Sequence, residues 1–358
     1  MRISNASLPA RQALLAALLL SALALAPRAQ AELPPSVAVS SQTASASAAR
    51  EVEVVDLDWF DTAREREVPA RLYLPVQPPR SGAAPVPLIV FSHGLGGSRF
   101  GYSHLGRHWA GQGFASLHLQ HRGSDRAVWT QSVFDLVSNL QAAASDANAI
   151  ARARDVSFGI TSLHADARLG ARVDAGSIAV AGHSYGANTA LLVAGATVAR
   201  QVDGEWRDIT LRDERVRAAV LLSTPPFYGE RNPQAILSTV RVPTLHVTGS
   251  EDVIRIPGYR SDAGDRIRVF EAMPSGPDAP ARALAVFEGG THSIFTDRID
   301  RAGPELNRSV KEATRELTTE FFRSALGGEP FDRVSSWLQA RGSMLSRSAS
   351  LPGGTSLR

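Results

Sequence analysis

The chain has 358 residues, of which 20% are charged and 44% hydrophobic, with 29 glycines, 21 prolines and no cysteine. This composition excludes a wholly disordered or collagen-like chain, and the missing thiols exclude disulfides, thiolate metal sites and a cysteine nucleophile. The net charge of +3 comes from Arg2, Arg11 and Arg28, the only charges in the first 31 residues; beyond them 35 basic side chains face 35 acidic ones, so neither nucleic acid nor an anionic membrane is implied as a partner.

Arg2 and Arg11 give a positive start, Ala13 to Leu25 form an apolar run, and Ala29-Gln30-Ala31 matches a small-x-small cleavage pattern. About 13 apolar residues fall short of the ~20 that a spanning helix needs. Residues 1–31 therefore read as a signal peptide rather than an anchor, with the periplasm or the medium as destination. Residues 32–50, mostly Ser, Ala, Val and Pro, read as a flexible leader. Residues 342–358, with Leu351-Pro352-Gly353-Gly354, read as a frayed tail. The intervening residues 51–341 show no linker or repeat and are expected to form one large domain.

Within that domain the predicted strands are Val52–Leu57, Ala70–Leu74, Pro87–Ser92, Phe114–Leu119, Ser177–Ala181, Ala218–Ser223, Pro243–Thr248 and Ala283–Phe287. Runs such as Leu88-Ile89-Val90-Phe91 are apolar without alternation, as strands buried on both faces of a parallel sheet are. Between them, Val133, Val137 and Leu140, then Val156, Ile160 and Leu163, keep the spacing of amphipathic helices. Arg301–Leu326 reads as a long closing helix ended by Gly327-Gly328. The alternation implies an α/β architecture: a mostly parallel central sheet with helices on both faces, and chemistry at the C-terminal strand ends.

Gly182-His183-Ser184-Tyr185-Gly186 spells G-x-S-x-G. The five residues alone say little, but an apolar strand leads in and an Ala/Leu-rich helix leads out, the setting of a nucleophile elbow. A serine hydroxyl needs a base and an orienting acid, which in such proteins follow in the order Ser, Asp or Glu, His. Only His246 and His292 lie downstream. His246 sits inside an apolar strand, where a packed, hydrogen-bonded imidazole is expected, whereas His292 follows Gly289-Gly290 in a loop and is the predicted base. Asp252, directly after the Pro243–Thr248 strand, is the predicted acid, with Glu251 as its rival; Asp262 and Asp265 lie farther along in expected loop. The predicted oxyanion donors are the backbone N–H groups of Tyr185, after the nucleophile, and of Leu95, in Ser92-His93-Gly94-Leu95-Gly96-Gly97. His93 and His183 are read as structural. The segment Arg126–Arg172 would supply two helices over the site, and Trp129, Phe134, Phe227, Tyr228 and Phe295 are candidate acyl-pocket residues.

Three stretches carry a family likeness: Val90-Phe91-Ser92-His93-Gly94-Leu95-Gly96-Gly97-Ser98-Arg99, His121-Arg122-Gly123-Ser124-Asp125, and Gly182-His183-Ser184-Tyr185-Gly186-Ala187. With them the chain resembles the α/β-hydrolase superfamily, and within it the dienelactone-hydrolase-like and platelet-activating-factor-acetylhydrolase-like serine esterases. The resemblance implies the α/β-hydrolase fold and hydrolysis of carboxylic esters through an acyl-enzyme. Two departures stand out. Dienelactone hydrolases use a cysteine nucleophile, and this chain has none. Eukaryotic acetylhydrolases place the acid after the sixth strand, where this chain reads Ser223-Thr224-Pro225-Pro226. No metal cluster or phosphate loop is visible, so no cofactor is expected, and the expected partner is a small-molecule or lipid-like ester. An exported peptidase or amidase would use the same residues, and a non-catalytic binding protein of the same fold is the remaining alternative.

Overall fold

The computed structural model describes residues 50–76, 84–129, 135–202, 205–227, 232–256 and 259–353. The expected signal peptide and nearly all of the leader lie outside the described residues, as do Phe134 and Tyr228. β1 (Val52–Asp61) and β2 (Arg66–Pro75) form an antiparallel hairpin. β3 (Val86–Ser92), α1 (Ser103–Gly111) and β4 (Ala115–Leu119) follow. Then come α2 (Leu136–Ala143), α3 (Asp146–Ala165), β5 (Val173–His183) and α4 (Tyr185–Val193). A separate two-stranded sheet, β6 (Thr197–Val202) and β7 (Glu205–Thr210), precedes β8 (Val216–Leu222), α5 (Pro233–Leu237) and β9 (Thr244–Glu251). Short β10 (Ile254–Ile256) and β11 (Tyr259–Ser261) pair before α6 (Ala263–Glu271) and β12 (Arg282–Thr291). α7 (Pro304–Gly327), α8 (Asp332–Ala340) and β13 (Leu345–Leu351) close the chain.

Among the described residues the main sheet has nine strands in the order β1-β2-β4-β3-β5-β8-β9-β12-β13. From β4 to β12 every neighbouring pair is parallel. The unbroken apolar runs follow from burial on both faces. In β3, Leu88 and Val90 join the cluster beneath α3 and α4, while Ile89 and Phe91 join the one beneath α1, α7 and α8. The same alternation splits Val180 from Ala181 in β5 and Leu221 from Val220 and Leu222 in β8. α7 starts with Pro304 in its first turn and stops at Gly328, whose φ of 72 ends the helix.

The expected frayed tail is a correction. Leu345–Leu351 adds an antiparallel edge strand to β12, with Leu284 opposite Ala349 and Ala283 opposite Ser350. Its few apolar side chains go to opposite faces of the sheet: Ala349 packs with Phe270, Leu284 and Val286, and Leu345, beyond a register shift, reaches the larger core. What orders it is the open edge of β12, whose unpaired backbone groups a polar strand can satisfy as well as an apolar one. The domain therefore runs to at least Leu351, not to residue 341. Truncation after Arg341 is expected to lower Tm by several degrees, at ~2–4 °C per kcal/mol for a domain of roughly 150–250 residues, and to promote association through the bared edge. Calorimetry and light scattering check it.

Burial also sets the acid stability. His118 and His121 are pushed down to about 4, and His183 and His246 to about 3, in each case chiefly by desolvation of the charged ring. In the unfolded chain these rings titrate near the ordinary value of ~6.5. Above that pH neither state binds the protons; below it only the unfolded chain does, until the folded values are reached. Stability is thus expected to fall from about pH 6.5 to about pH 4, at up to ~1.4 kcal/mol per pH unit for each ring. Urea melts at stepped pH would show the midpoint dropping across that window.

Candidate active site

Four segments meet at the C-terminal ends of the parallel strands: the turn after β3, the turn between β5 and α4, the end of β9 and the loop after β12. The main sheet changes winding direction at β3, so these ends converge on one crevice. Ser184 caps α4 with φ 55 and ψ −122, a region that L-residues rarely occupy. The flanking glycines permit it. A Cβ on Gly182 would lie 2.1 Å from the Gly186 carbonyl oxygen, and one on Gly186 would lie 1.9 Å from that of Ser92.

His292 Nε2 lies 2.9 Å from Ser184 Oγ, and its Nδ1 lies 2.8 Å from Asp252 Oδ1. With the carboxylate accepting at Nδ1–H, the unprotonated Nε2 faces the serine. Asp252 is fully buried. Thr248 Oγ1 donates to its Oδ2 at 2.7 Å, and Arg266 Nη2 donates to Oδ1 at 3.3 Å. Burial alone would raise this carboxyl; the hydrogen bond and charge of His292, and the charge of Arg266, outweigh it and hold the group far below the ordinary carboxylate range. The rival Glu251 points to solvent. Asp262 and Asp265 are not loop residues: they form a capping box at the start of α6. Asp252 and His292 can meet because β9 and the His292 loop nearly touch, a Cβ on Gly249 falling 2.0 Å from the Gly290 oxygen.

Sequence alone gives no role to Arg266 or Thr248: Thr248 counts there only as the last residue of its strand, and only the packing of α6 aims the arginine at Asp252. His183 is likewise more than filler. Its Nε2–H donates to the His292 carbonyl at 2.8 Å while Nδ1 accepts from the Tyr102 hydroxyl at 2.8 Å, so it pins the backbone of His292. His93 hydrogen-bonds to the Gly94 carbonyl within its loop and also accepts from the His121 N–H of the segment after β4, tying the two together. His246 is packed against Phe270 but has no hydrogen-bond partner among the described residues, contrary to expectation. Its strand backbone bonds are already made, and the neighbouring layer is apolar.

The Leu95 and Tyr185 N–H groups have no protein acceptor among the described residues and both line the crevice with Ser184. The turn that bears Leu95 is held from outside: Gly96 N–H donates to the Ser124 carbonyl at 2.9 Å, and Trp129 Nε1 donates to the Gly96 carbonyl at 2.9 Å. The cavity over the serine measures about 1560 Å³ and is walled by Leu95, Trp129, Leu140, Phe227 and Ile254. α2 and the N-terminal end of α3 contribute to this wall, whereas the body of α3 packs beneath the sheet. Phe295 belongs to the core and not to the pocket.

The family model described as platelet-activating factor acetylhydrolase, isoform II, matches residues 64–146, from β2 through the Leu95 turn to the start of α3. No curated protein matches the sequence. Among solved structures, a ferulic acid esterase from Streptomyces cinnamoneus superposes with a TM-score of 0.53 at 21% identity, covering 81% of this chain and 93% of that one. Taken with the strand order and the elbow between β5 and α4, this likeness establishes the α/β-hydrolase fold.

Proposed function

We propose that this protein is an exported serine hydrolase that cleaves carboxylic esters through an acyl-enzyme on Ser184. The observation that carries the reading is the unbroken hydrogen-bond line from Ser184 through His292 to Asp252, placed at the floor of an apolar cavity. The partial match to an acetylhydrolase family and the fold shared with an esterase add support.

In this mechanism Ser184 Oγ attacks the ester carbonyl while its proton passes to His292 Nε2, and the carbonyl electron pair moves onto oxygen. The Leu95 and Tyr185 N–H groups receive that oxyanion; one such donor is worth about 2.7–4 kcal/mol in related chemistry. Collapse breaks the bond to the alcohol oxygen, which takes the proton from His292. Water then repeats the sequence against the acyl-enzyme, giving its proton to His292 and releasing the acid. Asp252 stays ionised throughout, fixing the imidazole tautomer and balancing the transient imidazolium.

Ser184→Ala is expected to abolish both fluorophosphonate labelling and hydrolysis of p-nitrophenyl esters. Asp252→Asn is expected to lower kcat by about 10²–10⁴-fold with little change in KM, and His292→Ala at least as much. The double variant should scarcely exceed His292→Ala, because the three groups act as a unit. Glu251→Gln should stay within about twofold of wild type, as an exposed substitution does. Acidification should slow the reaction, because only a neutral imidazole at His292 can take the serine's proton. Comparing p-nitrophenyl esters with matching anilides separates esterase from amidase, and a Ser184→Ala variant still labelled and active would overturn the reading.

Export is part of the proposal, resting on Arg2, Arg11, the apolar run Ala13 to Leu25 and the Ala29-Gln30-Ala31 site. N-terminal sequencing of the protein recovered outside the cytoplasm is expected to begin at Glu32; an intact Met1 in the membrane fraction would point to an anchor.

A further inference from the structure

Arg152, on α3, is fully buried and has no carboxylate within ion-pairing distance among the described residues. The nearby Asp155 is already engaged by Arg64, Arg66 and His121. The guanidinium instead spends its fork on neutral acceptors. Nη2 donates to the His93 carbonyl, Nη1 to Ser124 Oγ at 2.8 Å, and Nε to Thr189 Oγ1 at 2.9 Å, while Cζ lies 4.6 Å from the centre of the Tyr185 ring. These partners are not scattered. His93 and Ser124 flank the turn that presents Leu95, because the Ser124 carbonyl accepts the Gly96 N–H at 2.9 Å. Thr189 passes its own hydroxyl to the Tyr185 carbonyl at 3.1 Å.

We infer that Arg152 is a positioning residue for the oxyanion hole, a single guanidinium that fixes the Leu95 turn and the Tyr185 end of α4 at their working separation. The inference rests on the serine-hydrolase reading above. Only a planar fork reaches three acceptors in different directions, so lysine would not substitute. The unneutralised charge adds a field of the sign that favours a developing oxyanion in a site screened from water.

The test is steady-state hydrolysis of p-nitrophenyl acetate together with the affinity of an arylboronic acid, which forms a tetrahedral adduct on a nucleophilic serine. Arg152→Lys and Arg152→Met are expected to lower kcat by about 10²–10³-fold with KM within about threefold. Boronate affinity should fall by the same factor as kcat/KM. The acid limb of the pH–rate profile should not move, because the His292–Asp252 pair is untouched. Ser124→Ala and Thr189→Val, each removing one arm, should cost about tenfold in kcat. These two decide the matter if Arg152→Met does not fold: wild-type kcat in both would overturn the inference. So would a folded Arg152→Met within threefold of wild type, or a loss accompanied by a shifted acid limb or unchanged boronate affinity. An inactive wild type or an active Ser184→Ala would instead overturn the serine-hydrolase reading, and this inference with it.

Discussion

The backbone of Ser184, held at φ 55 and ψ −122, is the constraint around which the site is arranged. A conformation of that kind costs about 1–3 kcal/mol and persists only where its surroundings over-determine it. Here the Ser184 N–H is tied to the Leu222 carbonyl of β8 at 2.8 Å, and the Ala187 N–H returns to the Ser184 carbonyl at 2.8 Å. The two glycines let β3 and α4 approach until no side chain would fit between them. The strain lifts one hydroxyl clear of the sheet and leaves the first N–H of α4 free beside it. Every other functional element is placed relative to that point.

Around it the protein buries an unusual set of charges, and their pairing decides whether the arrangement holds. Asp155 accepts from Arg64, Arg66 and His121; Asp252 accepts from His292, Thr248 and Arg266. Removing one partner of a buried pair costs about 3–5 kcal/mol, because the other charge is stranded in a medium that cannot solvate it. Arg152 is the exception in kind, a buried cation satisfied by three neutral oxygens and a ring face. Charge-assisted bonds of about 1.5–3 kcal/mol each are enough to offset a desolvation penalty of several kcal/mol. The buried histidines follow the opposite rule: desolvation of the charged ring prevails, even at His121 with its Asp155 carboxylate partner, so they stay neutral well below the ordinary value, which ties acid stability to their burial.

Much of the sheet was legible because its strands are buried on both faces and therefore read as continuous apolar runs. The strands that escaped notice are the ones with little to bury. β6 and β7 form a hairpin of which Glu205–Thr210 is largely exposed, and β13 is a serine-rich edge strand. For such segments order comes from backbone pairing supplied by a neighbour, and hydropathy carries no trace of it. Asp262 and Asp265 were misjudged for a related reason, since a helix cap is recognised by the helix it starts and α6 has a modest apolar face.

Sequence alone determined the residue types and their order: an elbow serine between an apolar strand and a helix, one loop histidine after it, and a carboxylate at an intervening strand end. Those are local patterns, and local sterics and chain order are enough to write them. Which carboxylate turns inward was a tertiary decision, made by one residue of turn geometry at Asp252 and by the close approach of Gly249 to Gly290. The supports of the site, Arg266 behind Asp252, His183 beneath His292 and Arg152 behind the Leu95 turn, were also decided only by packing. Each acts across a long stretch of chain, and the direction of a buried side chain is set by its neighbours in space rather than its neighbours in sequence.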